Sequence, residues 1–332
     1  MKMKKFLNNP EHLREEMLEG LALSNPDILY LGDGGLVINK HLDSADRVTV
    51  VSLGGIGHEP AMVGFVGEGM LDISVPGDIF AAPAPQLCLE ALKKADRGNG
   101  VLFIALNHTG DVLSSNMAMR LAQEAGLHVK QLITCEDVSN ASNCSPEGRR
   151  GLSGCIPVFK IAGAACQKGY DLDQVYEIAS GFAENMATIS VASRGATHPI
   201  TGREISLIGE NNMEIGIGQH GEGGGVCYPM KTADETVAIM VQSLIDNLKL
   251  QAGEKVLLMI NGSGATSTME LLICYRSAYN YLASKGIQIV AGLADELLTV
   301  QETSGFQVCV ARMNDELLDL WNMPCKSAYF SK

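Results

Sequence analysis

The strongest constraint on the fold is a set of short, almost wholly apolar runs that each break into a polar loop. Arg47-Val48-Thr49-Val50-Val51-Ser52 runs into Gly54-Gly55-Ile56-Gly57-His58-Glu59-Pro60, and Gly100 to Leu106 runs into Asn107-His108-Thr109-Gly110-Asp111. Val129 to Thr134 leads to Asp137 and a loop rich in Asn, Ser and Cys. Runs of this length and β-branched content read as buried strands. Helical spacing appears beside them, in Glu11 to Leu23 with Leu13, Met17, Leu18 and Leu21, and again from Met117 to Ala125. Pro60 suits the first turn of a helix following the glycine loop. Such alternation predicts an open parallel sheet, in which ligands gather beyond the carboxyl ends of the strands.

Further on, Arg149-Arg150-Gly151-Leu152 opens an apolar helix from Ile156 to Cys166, and Leu172 to Ala183 forms another. From Thr188 the grain changes to short alternating runs, Ile189 to Ala192 and Glu214 to Ile217, which places a domain boundary near residue 184. A helix from Asp234 to Leu248 and the strand Lys255 to Ile260 follow. A helix from Thr268 to Lys285 carries Met269, Leu272, Ile273, Ala278 and Leu282 on its apolar face, and Gly286 stops it. The strands Ile287 to Ala291 and Gln307 to Arg312 complete this half. The expected fold class is α/β, with two α/β domains, 1–184 and 185–332, each a mostly parallel or mixed sheet flanked by helices. A chain of 332 residues is long enough for both. The halves share no sequence repeat.

Charge narrows the function classes. With 38 acidic against 25 basic residues the formal charge is −13, and no cluster of Lys and Arg offers a surface to nucleic acid or an anionic membrane. Nine cysteines form no C-x-x-C pair, which reads as reduced, mostly buried thiols, not a disulfide framework or a zinc site. The start, Met1-Lys2-Met3-Lys4-Lys5, lacks the apolar run of a signal peptide, and no stretch reaches the length of a membrane span. A cytoplasmic location is expected.

Candidate chemistry sits in the loops. The glycine loop at Gly54, Gly55 and Gly57 resembles a ligand-cradling turn, but it has neither the G-x-G-x-x-G of a dinucleotide fingerprint nor the G-K-[ST] of a P-loop. His58 and Asp111 each lie just past a strand end, where a base or proton donor can meet a ligand. Asp111 alone fits a helix N-cap; its placement equivalent to His58 favours catalysis. In Met213-Glu214-Ile215-Gly216-Ile217-Gly218-Gln219-His220-Gly221-Glu222-Gly223-Gly224-Gly225, glycines flank one histidine. A loop so rich in glycine needs positive φ or a close backbone approach, and a ligand beside the imidazole is one such need. Taken alone, the stretch is equally a mobile surface turn.

Together these stretches resemble the dihydroxyacetone-binding subunit of dihydroxyacetone kinase, the DhaK family, over nearly the whole chain. The matching motifs, in order, are Phe6-Leu7-Asn8-Asn9-Pro10; Gly57-His58-Glu59-Pro60-Ala61 with Gly64-Phe65-Val66-Gly67; Asn107 with Thr109-Gly110-Asp111; Arg149-Arg150-Gly151-Leu152; Gly218-Gln219-His220-Gly221-Glu222; and Asn261-Gly262 with Met269-Glu270-Leu271. The resemblance implies that His220 attacks a ketone carbon and holds the substrate as a hemiaminal. It implies too that Asp111 accepts the proton of the hydroxyl to be phosphorylated and that His58 shares protons with the substrate. Gly54, Gly55 and Gly57 would join these three in binding it. No cofactor is implied for this chain itself. The phosphoryl donor would come from a separate DhaL-like subunit carrying ADP or ATP and magnesium, recharged by a DhaM-like phosphotransferase-system protein, and the chain would pair as a homodimer.

The chain also departs from the family pattern. Leu53, Ile56 and Met62 replace residues of S-G-G-G-S-G-H-E-P-A-H, Ala82 stands where a serine is common, and Leu106 and His108 alter K-N-Y-T-G-D. Gly223 replaces a proline. Lost hydrogen-bond donors weaken discrimination for a hydroxylated substrate, so the expectation is dihydroxyacetone or another short ketose. A non-catalytic paralogue acting as a ketose-sensing co-regulator stays as the alternative reading.

Overall fold

The computed structural model describes residues 5–139, 145–222 and 225–332. Gly223, Gly224, Cys144 and the first four residues, all used in the sequence reading, lie outside them. Two compact units emerge, and they are not consecutive halves. The first takes in residues up to 134, 155–181 and 319–332; the second takes in 135–154 and 182–318. The chain therefore passes between units several times, where the sequence suggests a single boundary near residue 184.

In the first unit a short 3-10 turn leads into α1 (Leu13–Ser24), followed by β1 (Leu29–Leu31), β2 (Val37–Asn39), β3 (Thr49–Ile56), β4 (Gly67–Glu68), β5 (Ile73–Ile79), α2 (Pro85–Ala95), β6 (Val101–Leu106), α3 (Thr109–Glu124) and β7 (Val129–Thr134), with α4 (Cys155–Gln167) later in the chain. Six strands form one sheet in the order β1-β2-β5-β3-β6-β7. The four from β5 to β7 run parallel, as their continuous apolar character predicts. On one face Val51, Leu53, Ile73, Val75 and Phe103 pack with Cys88, Leu89 and Leu92 of α2. Every residue of α4 from Cys155 to Cys166 is buried, including Lys160, whose ammonium donates to the Leu320 carbonyl at 2.9 Å.

The helix expected at Pro60 does not form. The chain makes a tight turn and a 3-10 helix at Val63–Phe65 instead. The reason is tertiary. Residues from Ala61 to Val66 are buried, leaving no polar face for an amphipathic helix, and the C-terminal residues claim this loop. Tyr329 donates its N–H to the Gly64 carbonyl at 3.1 Å, with its ring packed where a side chain at position 64 would project. Strand β3 also runs further than expected, through Gly54 and Gly55, because β5 pairs with it along that length.

The second unit starts within α5 (Leu172–Glu184) and holds β8 (Met186–Arg194), β9 (Asn212–Ile215), β10 (Val226–Pro229), α6 (Ala233–Leu248), β11 (Lys255–Gly262), α7 (Thr268–Ser284), β12 (Gln288–Asp295), β13 (Ser304–Arg312) and the start of α8 (Asp315–Asn322). Its six-stranded sheet, β10-β9-β8-β13-β11-β12, is mixed; only β11 and β12 pair parallel. The last strand, β14 (Lys326–Ser327), returns to β4 of the first unit. Capping boxes start α6 at Thr232 with Glu235 and α7 at Ser267 with Glu270. The buried face of α7 keeps the expected Ala278 and Leu282 but not the expected Met269, Leu272 and Ile273. Leu271, Cys274, Ala278 and Leu282 point into the core, whereas Met269, Leu272 and Ile273 are exposed. Both sets fit helical spacing, and packing against β11 selects between them. Among the described residues no helix is long and apolar enough to cross a membrane.

The first sheet is tied together by one buried carboxylate. Asp72, with no exposed side-chain surface, accepts both guanidinium arms of Arg47 at 2.9 Å, the Val50 N–H at 3.0 Å and the Asn39 amide at 3.1 Å. It thereby links the ends of β2, β3 and β5. Replacing Asp72 with Asn should destabilise the protein by about 3 kcal/mol, because the half-buried Arg47 loses the charge that compensates it. The double variant Arg47→Met, Asp72→Leu should recover part of that loss. Urea unfolding of the three chains provides the comparison.

Candidate functional site

His58 and Asp111 both belong to the first unit. Strands β3 and β6 are parallel neighbours, so the loops after Ile56 and Leu106 leave the sheet at the same, carboxyl edge. Gly57, at φ +102°, turns the chain out of β3, and its N–H donates to Glu59 Oε1 at 2.9 Å. His58 is buried and packs against the Phe80 ring with centroids 5.1 Å apart. Burial raises the Glu59 carboxyl above its usual range, against the pull of the Gly57 N–H. Asp111 is not an N-cap. His108 precedes α3, and Asp111 is the third helical residue, at the edge of burial, where the positive helix end favours a carboxylate.

The space beside each loop glycine is filled from within the unit. A side chain at Gly54 would meet the Met62 methyl, one at Gly55 the Ala81 backbone, and one at Gly57 the Phe80 ring. The departures from the family pattern at Leu53, Ile56, Met62 and Leu106 are all buried apolar residues.

His220 belongs to the second unit, in the loop joining β9 to β10. The Gly216 N–H donates to the Ser190 carbonyl of β8 at 2.7 Å, and Ser190 Oγ donates to the Ile217 carbonyl, which pins the loop's start. Its close is a tight turn in which Gly218 donates to the Glu222 carbonyl at 2.9 Å. The Glu222 carboxylate then turns back onto the histidine. Oε2 accepts the His220 backbone N–H at 2.8 Å and Oε1 lies 3.1 Å from Nδ1. Burial would raise this carboxyl, but the hydrogen bond and charge of the His220 ring and its backbone N–H outweigh burial and pull it down to about 2. An ionised carboxylate only accepts, so Nδ1 must be the donor. In the neutral ring with its proton on Nδ1, Nε2 is the nitrogen that carries the lone pair. Such a pair has the chemistry a nitrogen nucleophile needs, with a carboxylate beside the ring to meet any positive charge it acquires.

Arg150 is the residue that sequence reasoning passed over. It was visible only as part of the Arg149-Arg150-Gly151-Leu152 motif. Its guanidinium donates to Asp137 Oδ2 at 2.8 Å, Ser139 Oγ at 2.9 Å, the Gly216 carbonyl at 2.9 Å and the Glu222 carbonyl at 3.2 Å. Next to this pair, Glu136 is wholly buried. Its Oε1 accepts the N–H groups of Leu152 and Gly154 at 2.7 and 3.0 Å, and its Oε2 has no hydrogen-bond partner.

With this geometry in view, similarity places the chain among known proteins. The Dak1 domain model matches residues 19–329, and the chain belongs to that family. It is 35% identical to the dihydroxyacetone-binding subunit DhaK of a PTS-dependent dihydroxyacetone kinase of Listeria innocua serovar 6a, over 99% of both chains. It is 31% identical to the corresponding subunit of the PEP-dependent kinase of Escherichia coli K12, over 97% of both. Among solved structures, the dihydroxyacetone kinase operon co-activator Dha-DhaQ superposes with TM-score 0.90 at 28% identity, covering 95% of this chain and 97% of that one. The dihydroxyacetone kinase of C. freundii gives TM-score 0.90 at 29% identity, covering 99% of this chain but 60% of the other.

The buried Glu136 gives a pH signature. Burial, with the Asp137 charge adding to it, lifts its carboxyl from 4.5 to about 7 against the two backbone N–H groups. Between those values the folded chain keeps the proton that the unfolded chain has released, so stability should fall as pH rises from 4.5 to about 7 and then level off. Glu136→Gln should remove up to about 3 kcal/mol of that slope. Urea midpoints measured from pH 4.5 to 7.5 for both chains read it directly.

Proposed function

We propose that this chain is a DhaK-like subunit that captures dihydroxyacetone or another short ketose covalently on His220 and presents it for phosphorylation. The observation that carries this reading is the His220–Glu222 pair, in which the carboxylate holds the imidazole at Nδ1 and the backbone N–H beside it. In the capture step the Nε2 lone pair forms a bond to the ketone carbon, the carbonyl π electron pair moves onto oxygen, and that oxygen takes a proton from solvent water. The ring's positive charge is met by Glu222. Asp111 accepts the proton of the hydroxyl that receives the phosphoryl group, and His58 shares protons with the substrate. Gly54, Gly55 and Gly57 contribute their backbone to the binding loop. Holding the ketose by a covalent bond orients it, and positioning is much of phosphoryl-transfer catalysis.

The donor in this scheme is a separate DhaL-like subunit with its nucleotide and magnesium, recharged by a DhaM-like protein, and the chain works as a homodimer. Support comes from the relatives at 99% and 97% coverage, which are named as subunits of PTS- and PEP-dependent kinases. A second reading is favoured by the co-activator superposition at TM-score 0.90: a ketose sensor that binds without transfer.

One experiment separates the two. Each of a panel of three- to five-carbon ketoses is titrated into the chain, followed by imidazole NMR, and then incubated with a charged DhaL-like subunit. His220→Ala should lose the shifted imidazole signal and most of the affinity. Asp111→Asn should slow transfer by about 10²-fold or more while affinity changes far less, and His58→Asn should damage both. Unchanged ketose binding by His220→Ala overturns covalent capture. Binding by the wild-type chain with no transfer across the whole panel selects the sensor.

A further inference from the structure

Two of the glycines before His220 have protein neighbours that account for them. A side-chain carbon at Gly218 would stand 2.3 Å from Arg150 Nη1 and 2.1 Å from Glu222 Oε2, and one at Gly216 would stand 2.6 Å from the Ser139 side chain. These positions lack side chains because a guanidinium, a carboxylate and a serine occupy the space. At Gly216 and Gly218 the close approach is that of Arg150 and its partners, whereas Gly221 faces Ile205 and Gly225 faces Glu214.

We propose that Arg150, held by Asp137, is the positioning residue that closes the His220 loop and keeps the Glu222 carboxylate on Nδ1. Asp137 is buried and is itself fixed. Its Oδ1 accepts the Ser139 N–H at 2.9 Å, and its N–H donates to the Arg150 carbonyl at 3.0 Å. From that anchor one planar cation reaches the carbonyl where the loop leaves β9, at Gly216, and the carbonyl at Glu222 beyond the histidine. Fixing the Glu222 backbone is what aims its two oxygens, one at the His220 N–H and one at the ring. A lysine cannot do the same, since a point charge on a single stem does not reproduce a fork that spans three segments. Arg150 touches neither the ring nor, in this scheme, the substrate. Its effect passes through Glu222.

The proposal rests on His220 as the ketone-binding nucleophile, and its test reads the ring as well as the adduct. With ring-labelled histidine, 15N NMR reports the His220 tautomer without any ketose present. In the wild-type chain the neutral ring should carry its proton on Nδ1. In Arg150→Met and Arg150→Lys the two tautomers should mix, and ketose capture should weaken by about tenfold or more, the equivalent of one charge-assisted hydrogen bond. Gly218→Ala, which drives a methyl into the guanidinium and the carboxylate, should give the same pair of effects by an independent route. Thermal unfolding checks that each variant is folded, and if Arg150→Met is not, Arg150→Lys and Gly218→Ala decide. A wild-type tautomer and wild-type capture in Arg150→Lys overturn the proposal. Should no ketose bind even the wild-type chain, the capture reading falls by itself. The tautomer then still decides for Arg150: mixing in the variants supports it, and an unchanged ring overturns it.

Discussion

One guanidinium gathering acceptors from three segments is what gives the His220 loop a definite shape. That loop has no helix or strand of its own between β9 and the described residues that end at Glu222, so its order has to come from outside. Arg150 supplies it because five N–H donors in a rigid plane can satisfy several carbonyl and carboxylate oxygens at once. A mostly buried cation demands such partners, since burial of an unmatched charge costs more than any single contact returns. Gly218 follows from it, since a side chain there would run into the guanidinium. The orientation of the imidazole follows in turn from the carboxylate that the closed turn brings back onto the ring.

Buried carboxylates play two different parts in this protein. Asp72 is matched by a bidentate arginine and two further donors, so its charge is kept and used to bind strand ends together. Glu136 receives two backbone N–H groups on one oxygen and nothing on the other, so burial dominates and its proton is held toward neutrality. Glu222 is the third case, partly exposed and pulled down by its histidine. Environment, not residue type, separates a structural anchor, a pH-sensitive clamp and a histidine's partner.

The loops of the first unit show the same dependence on packing. His58 follows a parallel strand, as a ligand-facing residue in such a sheet should, yet it is buried and covered by the Phe80 ring. Met62, Ile56 and Leu106 surround this edge with apolar bulk where the family pattern has polar groups. An apolar lining cannot hydrogen-bond a hydroxyl and so selects weakly among hydroxylated ketoses.

Much of this was legible in the residues. The runs Gly100 to Leu106 and Val129 to Thr134 became β6 and β7, and the segments at Ile156, Leu172, Asp234 and Thr268 became α4 to α7, because continuous apolar runs and 3.6-residue spacing are local properties that tertiary contacts reinforce. The ordered motifs likewise identified the family. Other features were decided only when distant segments met. The burial of Leu271 and Cys274 in place of Met269 and Leu272 depended on which side of α7 faced β11. The missing helix after Pro60 depended on a C-terminal tyrosine, and the extension of β3 through Gly54 and Gly55 on a neighbour in the sheet. Arg150 makes the same point at the candidate site: it stands 70 residues before His220 in the chain, and no local pattern joins them. Sequence determined which segments are strands, helices and glycine loops, because those preferences act over a few residues. Tertiary structure alone decided which charge sits beside which backbone, because matching a buried cation to its acceptors requires the folded chain.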